Sequence, residues 1–405
     1  MSSVPSLTIP QYFKLTPLEV PNEGEDLFFE KIEELGKGSF GTANLATTPR
    51  GRHRVVIKLN DGRAGTNSVA IKEAEMLAYL NKEPRMPHIP EFLGTFSTDT
   101  NGKKIAIITS LVPGKDTYKT YLGKQNSPPL MSGDILQMSV QFLEALEHLH
   151  KVKQCAHLDL KPENLFYNKE TSTAHMIDFG SVKTIEEMTK AKEFIGTSSY
   201  RSPELILRKS YETRFDESVD LWALGVSLFN LYVKSAFIDI SQGEKEDQND
   251  YITRLKNDYL IQMALNLGMP RGGFIELLDD AELRFFSDDW TYLHRPPSKY
   301  AVSSVNELKK LREEAQKKYG STVPLWKARI YMAAGTKGES QEDADKVIQL
   351  IEPMLNYWLR QLYLMTRNFE QRQRITASGC LQIARGFLPS DEPVVKIRLT
   401  EGKAD

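Results

Sequence analysis

Two short polar motifs, separated by little more than a hairpin, place the strongest constraint on this chain. They are His157–Asn164, which reads HLDLKPEN, and the tripeptide Asp178-Phe179-Gly180. Transfer of a phosphoryl group needs a carboxylate beside the attacking hydroxyl, oxygen ligands for magnesium and a cation on the nucleotide phosphates. Asp159 supplies the carboxylate, and Asn164 and Asp178 supply the ligands. The sequence therefore predicts phosphoryl transfer, with the cation to be sought upstream.

Composition narrows the class of partner. The 405 residues carry 52 Lys and Arg against 54 Asp and Glu, so the net charge of −2 gives no basic surface for nucleic acid or an anionic membrane. Cys155 and Cys380 lie far apart without a CxxC pattern, and we expect neither a disulfide framework nor zinc. No signal-peptide pattern and no membrane-spanning apolar stretch is found. We expect a soluble, intracellular protein of the cytoplasm or nucleus, and the oligomeric state stays open.

The hydrophobic pattern of the first third is that of strands. Residues 1–27 carry prolines without a sustained period and are expected to form an extended N-terminal lead, with regular structure beginning near Phe28. Five strand patterns and one amphipathic helix then predict a small antiparallel sheet covered by a helix. The strands are Lys31–Leu35, Ala43–Thr47, Arg54–Leu59, His88–Phe96 and Lys104–Leu111, and the helix is Val69–Leu80.

After Pro113 the pattern becomes mostly helical. The predicted helices are Asp134–His150, Ser218–Tyr232, Asp250–Leu267, Val305–Tyr319 and Glu342–Arg367. A small strand-rich lobe of residues 28–112 thus precedes a large helical lobe of residues 113–390, followed by a tail of residues 391–405. The predicted fold class is α+β.

A glycine-rich turn of sequence GKGSFG lies between the first two predicted strands. Because Gly36, Gly38 and Gly41 have no side chains, backbone N–H groups there can approach triphosphate oxygens closely. Such turns are common, and a dinucleotide-binding interpretation would require a helix directly after the turn. A strand pattern follows instead, so the turn indicates a nucleotide-binding site only in combination with the other motifs.

Together these motifs resemble those of the eukaryotic protein kinases, over residues 28–390. The resemblance implies a bilobal protein kinase fold. It also implies that Lys58 is the cation that binds the nucleotide phosphates and that Lys58 pairs with an acidic residue of the next helix. The alternative is that Lys58 is a solvated strand lysine. Glu73 and Glu75 compete for the pairing. We choose Glu73 because Met76 and Leu77 follow it at three and four positions, on the same helical face, and can pack into the core.

The resemblance also implies roles for the catalytic loop. Asp159 would orient the substrate hydroxyl and accept its proton. Lys161 would neutralise charge on the transferred phosphoryl group, and a lysine at this position is typical of the Ser/Thr-specific branch. Asn164 and Asp178 would hold Mg²⁺, which prefers hard oxygen ligands.

Other matches imply structural roles. His157 is expected to pack against Phe179, and Asp220, in the run DLWALG, to hold the backbone of the catalytic loop. Glu204 is expected to pair with Arg374, which precedes Ile-Thr-Ala, as a buried ion pair near the end of the domain.

Residues 196–204, GTSSYRSPE, resemble the loop on which protein kinases dock their substrates. Thr197 would bridge Asp159 and Lys161. Small-molecule kinases lack this loop, so a protein substrate is favoured over a small-molecule phosphotransferase. Arg201 resembles the CMGC group, in which it favours proline after the phosphorylated residue.

The adenine pocket departs from the family pattern at two positions. Ala43 replaces the usual valine and Val56 the usual alanine, which together conserve the volume of the pocket. We interpret this exchange as a re-formed pocket; the alternative, that Val56 excludes the purine, would make the protein a pseudokinase. The remaining expected nucleotide contacts are the floor Phe166, the gatekeeper Thr109 and the hinge residues Ser110, Leu111 and Val112.

A third departure is Leu158, which replaces the arginine that usually precedes the catalytic aspartate. That arginine normally receives an activation-loop phosphate. We therefore predict that phosphorylation between Asp178 and Glu204 is not required for activity.

Residues 285–341 are surplus to a minimal kinase large lobe. Together with the run NLGMP at residues 266–270, they resemble an insertion of the CMGC group. The run Asp-Phe-Gly-Ser resembles that of the dual-specificity and homeodomain-interacting members of this group. Ser303–Tyr319 is expected to be a solvated helix with a serine cap, packed on the large lobe, in preference to a docking site. The sequence as a whole predicts an ATP- and Mg²⁺-dependent protein Ser/Thr kinase; the alternative is a nucleotide-binding scaffold without catalysis.

Overall fold

Six antiparallel strands of the N-terminal lobe close into a barrel in the computed structural model, in the order β1-β2-β3-β4-β6-β5. They are β1 (Tyr12–Pro17), β2 (Leu27–Gly38), β3 (Gly41–Thr47), β4 (Arg54–Asn60), β5 (Phe92–Ser97) and β6 (Ile105–Ser110). The structure describes residues 12–17, 27–38, 41–47, 54–63, 65–97, 104–123, 126–190, 196–206, 216–240, 248–268, 297–355 and 375–388.

Side chains along β4 alternate between the interior of the barrel and its outer face. Val55 and Ile57 are buried in the apolar interior of the barrel. Val56 and Lys58, at the alternate positions, are half-buried on the other face. The barrel therefore presents one wall of alternate residues toward the large lobe.

The first strand corrects the expectation that regular structure begins near Phe28. β1 pairs with β2, and its last residues Thr16 and Pro17 lie opposite Ser97 and Phe96 of β5. The prolines that argued against structure are compatible with it, because Pro17 ends the strand.

The start of β5 also differs from the prediction. The strand begins at Phe92 and not at His88. His88 has φ 57°, in the left-handed region, and an extended strand cannot pass through that conformation.

Helix α1 (Thr66–Asn81) packs on β5 and β6. Its buried positions recur every three or four residues, which is the pattern of an amphipathic helix. They include Ala70, Glu73, Ala74, Leu77 and Leu80. The predicted helix is therefore present, and one acidic side chain lies on its buried face.

The C-terminal lobe is built around α5 (Val219–Val233), which is buried from Val219 to Tyr232. A helix that is enclosed on all sides belongs at the centre of a domain. Helices α2 (Ser132–Lys151), α8 (Leu325–Lys337) and α9 (Gln341–Leu355) pack against it. The other described helices are α3 (Ile185–Lys190), α4 (Pro203–Ile206), α6 (Gln248–Leu267), α7 (Val302–Tyr319) and α10 (Ala377–Gly386).

The described part of the expected insertion forms α7 and α8. α7 packs on α6 and α8 through Val305, Leu308 and Ala315, while the rest of its surface is largely solvated, as expected. The expected serine cap is wrong, because the helix begins after Ala301 and no side chain caps it. α8 was not predicted.

Five short strands build the floor between the lobes. They are β7 (Lys115–Asp116), β8 (Cys155–Ala156), β9 (Leu165–Asn168), β10 (Thr173–Met176) and β11 (Lys183–Thr184). β10, β9 and β7 form one sheet, and β11 pairs with β8. The polar run His157–Asn164 thus lies between β8 and β9. Among the described helices, none has the length and apolarity of a membrane span.

Candidate active site

Lys58 joins the two halves of the site through its ammonium group. Its Nζ lies 2.7 Å from Glu73 Oε1 on α1 and 3.0 Å from Asp178 Oδ1, which follows β10. Glu73 is buried and Glu75 is exposed, so the structure places Glu73 and not Glu75 against the lysine. A strand, a helix and a loop therefore meet at one cation.

The three charges alter one another's pKa. Desolvation opposes protonation of Lys58, but Glu73 and Asp178 outweigh it and raise its pKa. Desolvation raises the pKa of Glu73 against the effect of Lys58. For Asp178, desolvation also opposes ionisation, but Lys58 outweighs it and lowers the pKa. Lys58 is consequently cationic and Asp178 anionic near neutral pH.

Asp159 lies at the centre of a second network. Its Oδ2 lies 2.9 Å from Lys161 Nζ, while its Oδ1 accepts the Thr197 hydroxyl at 2.7 Å and the Thr197 amide at 3.0 Å. Lys161 Nζ also donates to Thr197 Oγ1 at 2.8 Å. Thr197 therefore ties the docking loop to both residues of the catalytic loop.

Asn164 is oriented by its own loop. Its Nδ2 donates to the backbone oxygen of Asp159 at 2.8 Å, which leaves Oδ1 for another partner. The amide of Ile177 donates to the backbone oxygen of Asn164 at 3.0 Å and so brings the neighbouring Asp178 alongside. Asp178 Oδ1 accepts a hydrogen bond from Lys58. The remaining oxygens, Asn164 Oδ1 and Asp178 Oδ2, are ligands of the kind that magnesium prefers.

Asp220 holds the catalytic loop from below. It is almost fully buried at the start of α5 and accepts the amides of His157 at 2.7 Å and Leu158 at 2.8 Å. His150 Nε2 lies 2.9 Å from Asp220 Oδ2. Sequence analysis missed His150, since no spacing links the end of α2 to the start of α5.

His157 and Phe179 pack together in the core. Both are almost fully buried, and their ring centroids lie 5.4 Å apart. The amide of Asp159 donates to His157 Nδ1 at 3.4 Å. These contacts support the backbone of the catalytic loop from the core.

Of the two glycines of the turn whose surroundings the structure describes, Gly41 is sterically required. A Cβ on Gly41 would lie 1.9 Å from the backbone oxygen of Leu59, whereas one on Gly36 would meet only Lys119 Nζ, at 3.7 Å. Gly38 pairs with Gly41, and the tip between them lies outside the described residues.

Residues of the expected adenine pocket share one wall. Ala43 lies opposite Lys58, and Val56 lies opposite Thr109, so all four belong to the same sheet face. Below them, Phe166 occupies the half-buried face of β9. In the hinge, Ser110 donates its amide to Glu91 O at 2.9 Å, Leu111 is exposed and Val112 is buried.

Asp116 and Lys119 stand at the mouth of this pocket and were not predicted. Asp116 lies opposite Phe166 on β7, and burial raises the pKa of its carboxyl. Lys119 Nζ donates to the backbone oxygen of Leu35 at 3.0 Å, and so links the large lobe to the strand before the glycine turn.

The docking loop is shaped by Arg201. Its Nε and Nη2 donate to the backbone oxygen of Gly196 at 2.9 and 2.5 Å. Gly196 has φ 79°, and a Cβ there would lie 2.3 Å from the backbone oxygen of Leu158, so glycine is required. The carbonyl oxygen of Gly196 thus already accepts two hydrogen bonds from Arg201. Next to it, a small pocket is lined by Asp159, Thr197, Tyr200, Arg201 and Leu205, among others.

The expected pair of Glu204 and Arg374 lies outside the described residues. Glu204 belongs to α4, but its side chain is not described, and Arg374 is not described at all. This pairing stays a prediction.

The sequence is similar to those of known protein kinases. A family model described as Protein kinase domain matches residues 29–357. The chain is 30% identical over 212 residues to serine/threonine-protein kinase Nek1 of Mus musculus, covering 52% of this chain and 17% of that protein. It is 32% identical over 213 residues to serine/threonine-protein kinase Nek8 of Danio rerio, covering 52% and 29%. With cyclin-dependent kinase 4 of Mus musculus it shares 29% over 205 residues, covering 49% and 65%. The chain spans a minority of the length of the first two relatives.

Proposed function

Because the chain belongs to the protein kinase family, we propose that it transfers the γ-phosphoryl group of ATP to serine or threonine side chains of proteins. One observation carries the proposal. Asp159 and Lys161 form a closed set of hydrogen bonds with each other and with Thr197 of the docking loop. A carboxylate, a cation and a docking loop in mutual contact suit a reaction in which positioning does most of the catalysis.

The proposed reaction follows from that arrangement. The substrate hydroxyl oxygen attacks the γ-phosphorus, the bond from that phosphorus to the β–γ bridging oxygen breaks, and ADP leaves. Asp159 accepts the hydroxyl proton, while Lys161 stabilises negative charge on the transferred group. Thr197 keeps both side chains in place.

The nucleotide would lie between the barrel wall and β9. Lys58 would contact its phosphates, with Glu73 holding the ammonium group. Asn164 and Asp178 would hold Mg²⁺, which when bound neutralises charge on the phosphate oxygens.

Arg201 supports a preference in the peptide. Since it occupies the carbonyl of Gly196, that carbonyl cannot accept an amide from the residue after the phosphorylated one. Proline carries no amide N–H and loses nothing there. We therefore include proline at the next position in the proposed substrate.

The test is Mg-ATP-dependent transfer to a degenerate Ser/Thr/Tyr peptide library, with Asp159→Asn beside the wild type. The variant keeps the size of the side chain and loses the base, so we expect transfer to fall roughly 100- to 10,000-fold. ATP binding, measured by thermal shift, should persist in both proteins. Phosphorylated serine or threonine is expected, with proline enriched at the next position.

Absence of transfer by the wild type, with ATP still bound, would replace this proposal with the scaffold alternative. Equal transfer by wild type and variant would indicate a contaminating kinase.

A further inference from the structure

The segment after Asp178-Phe179-Gly180 is fixed to the large lobe at its start. In β11, Lys183 pairs with Ala156 and Thr184 with Cys155. Helix α3 follows directly, and two reciprocal hydrogen bonds cap its N-terminus. Thr184 N donates to Glu187 Oε2 at 3.0 Å, and Glu187 N donates to Thr184 Oγ1 at 3.2 Å. Such a reciprocal cap favours a helix that begins at this position.

Met188 on α3 then anchors the segment by burial. Its side chain is 0% exposed and belongs to a separate apolar cluster, which we call the Leu158 cluster. The cluster consists of Ala156, Leu158, Met188, Leu205 and Val219. These residues come from β8, the catalytic loop, α3, α4 and the start of α5, so one small cluster joins five parts of the site.

The backbone of Leu158 connects this cluster to the reacting groups. Leu158 has φ 68°, and its amide donates to Asp220 Oδ1 at 2.8 Å. Its backbone oxygen faces Gly196, at the start of the docking loop. Leu158 is therefore bonded from below by α5 and covered by the docking loop, one residue before Asp159.

The chemistry of position 158 decides how the segment can be held. A cation here would need an anion to offset its desolvation, and a phosphate on the segment is the usual one. A buried leucine needs only apolar neighbours, and Met188 and Leu205 supply them from either end of the segment.

We propose that Leu158 and Met188 are positioning residues that hold residues 183–190 and 196–206 in the arrangement in which Thr197 reaches Asp159, by apolar packing in place of a phosphate–arginine pair. This inference rests on the proposed kinase function. It identifies the groups that make phosphorylation of the segment unnecessary.

The test compares Met188→Ala with Met188→Leu. Truncation opens a cavity beneath the segment, so we expect kcat/KM for a peptide to fall about 10- to 100-fold through misplacement of Thr197. KM for ATP should change by less than about twofold, since Lys58, Glu73 and Asp178 lie outside the cluster. The volume-conserving leucine should restore peptide kinetics to within about threefold of wild type.

Leu308→Ala is the matched control. Leu308 lies in a different apolar cluster, with Ala315, Leu325 and Ala328 of α7 and α8. It should lower the melting temperature comparably and leave peptide kcat/KM unchanged. Phosphatase-treated wild type should keep its activity.

Amide hydrogen exchange separates this inference from the proposed function. Exchange in residues 183–190 and 196–206 should accelerate in Met188→Ala and stay slow in Leu308→Ala, whether or not the protein transfers phosphate. If the wild type is inactive, the kinase proposal fails while exchange still decides the packing. Unchanged exchange and unchanged kinetics in Met188→Ala, or loss of activity on phosphatase treatment, would overturn the inference.

Discussion

At the residue scale, Thr197 is the side chain on which most of the candidate site depends. Its hydroxyl donates to Asp159 and accepts from Lys161, while its amide also donates to Asp159. One residue of the docking loop thus makes three of the bonds that define the reacting groups. Its effect on catalysis would be exerted through the orientation of Asp159 and Lys161.

Substitution of Thr197 tests this dependence. Thr197→Val keeps the shape and removes the hydroxyl, so we expect kcat to fall about 10- to 100-fold, with KM for ATP nearly constant. Thr197→Ser keeps the hydroxyl and should retain most activity. Steady-state kinetics with one peptide measures both. A valine variant as active as the serine variant would contradict the role.

Residues with a distinctive local motif were found from the sequence, and those with only long-range contacts were not. Asp159, Asn164 and Asp178 stand in fixed spacing, and the structure places them around one cleft. His150 and Asp116 carry no motif, because their importance comes from contacts with residues distant in the chain. The choice of Glu73 over Glu75 succeeded because helical periodicity fixes which side chain faces inward.

At the element scale, the β2–β3 hairpin combines a steric requirement with open space. Gly41 approaches the backbone of β4 so closely that no Cβ fits, whereas Gly36 faces only the end of a flexible lysine side chain. Two glycines of one motif therefore serve different purposes. One is needed for the barrel to close, and the other leaves room over the cleft.

The difference is measurable as stability. Gly41→Ala should lower the free energy of unfolding by more than about 2 kcal/mol, because β3 and β4 must separate. Gly36→Ala should change it by less than about 1 kcal/mol, since nothing rigid is displaced. Urea denaturation of both variants checks the contrast. Equal losses would show that the close approach at Gly41 is wrong.

Element prediction failed where tertiary packing overrode local signals. β1 was missed because its pattern is short and flanked by proline, yet the barrel supplies pairing partners on both sides. α8 was missed because it lay within an apparent insertion. The long helices α2, α5 and α6 were predicted within about two residues, since their periodicity is sustained.

At the scale of the whole molecule, the main core does not stop at the boundary between the lobes. Ala74, Leu77 and Leu80 of α1 belong to the same apolar cluster as Phe179 and the helices of the large lobe. The barrel interior forms a separate cluster. α1, which carries Glu73, is therefore packed with the large lobe as well as with the barrel.

A histidine between the lobes predicts acid sensitivity. Burial, with a smaller effect of His88, lowers the pKa of His175 from 6.5 to about 4. The pKa of His175 is thus lower in the folded protein than in the unfolded chain. Its contribution to the free energy of unfolding is therefore fully present above about pH 6.5 and is lost as the pH falls toward about 4. The loss should be on the order of 2 kcal/mol, discounted for partial exposure of the ring.

His175→Gln should reduce this loss, because glutamine does not titrate. Melting temperatures of wild type and variant between pH 7 and pH 4.5, about the range of the transition, give the comparison. Parallel curves would assign the acid sensitivity to other groups.

The bond from Lys119 to Leu35 crosses the entrance through which a nucleotide would have to pass. Lys119 is well exposed, with 63% of its side chain open to solvent, so water can replace the carbonyl at little net cost. In the proposed reaction, the two lobes would be held together there weakly enough to separate during each turnover. ADP could then leave without the unfolding of any element, and its rate of release would be set by its contacts in the cleft and not by the bond from Lys119 to Leu35.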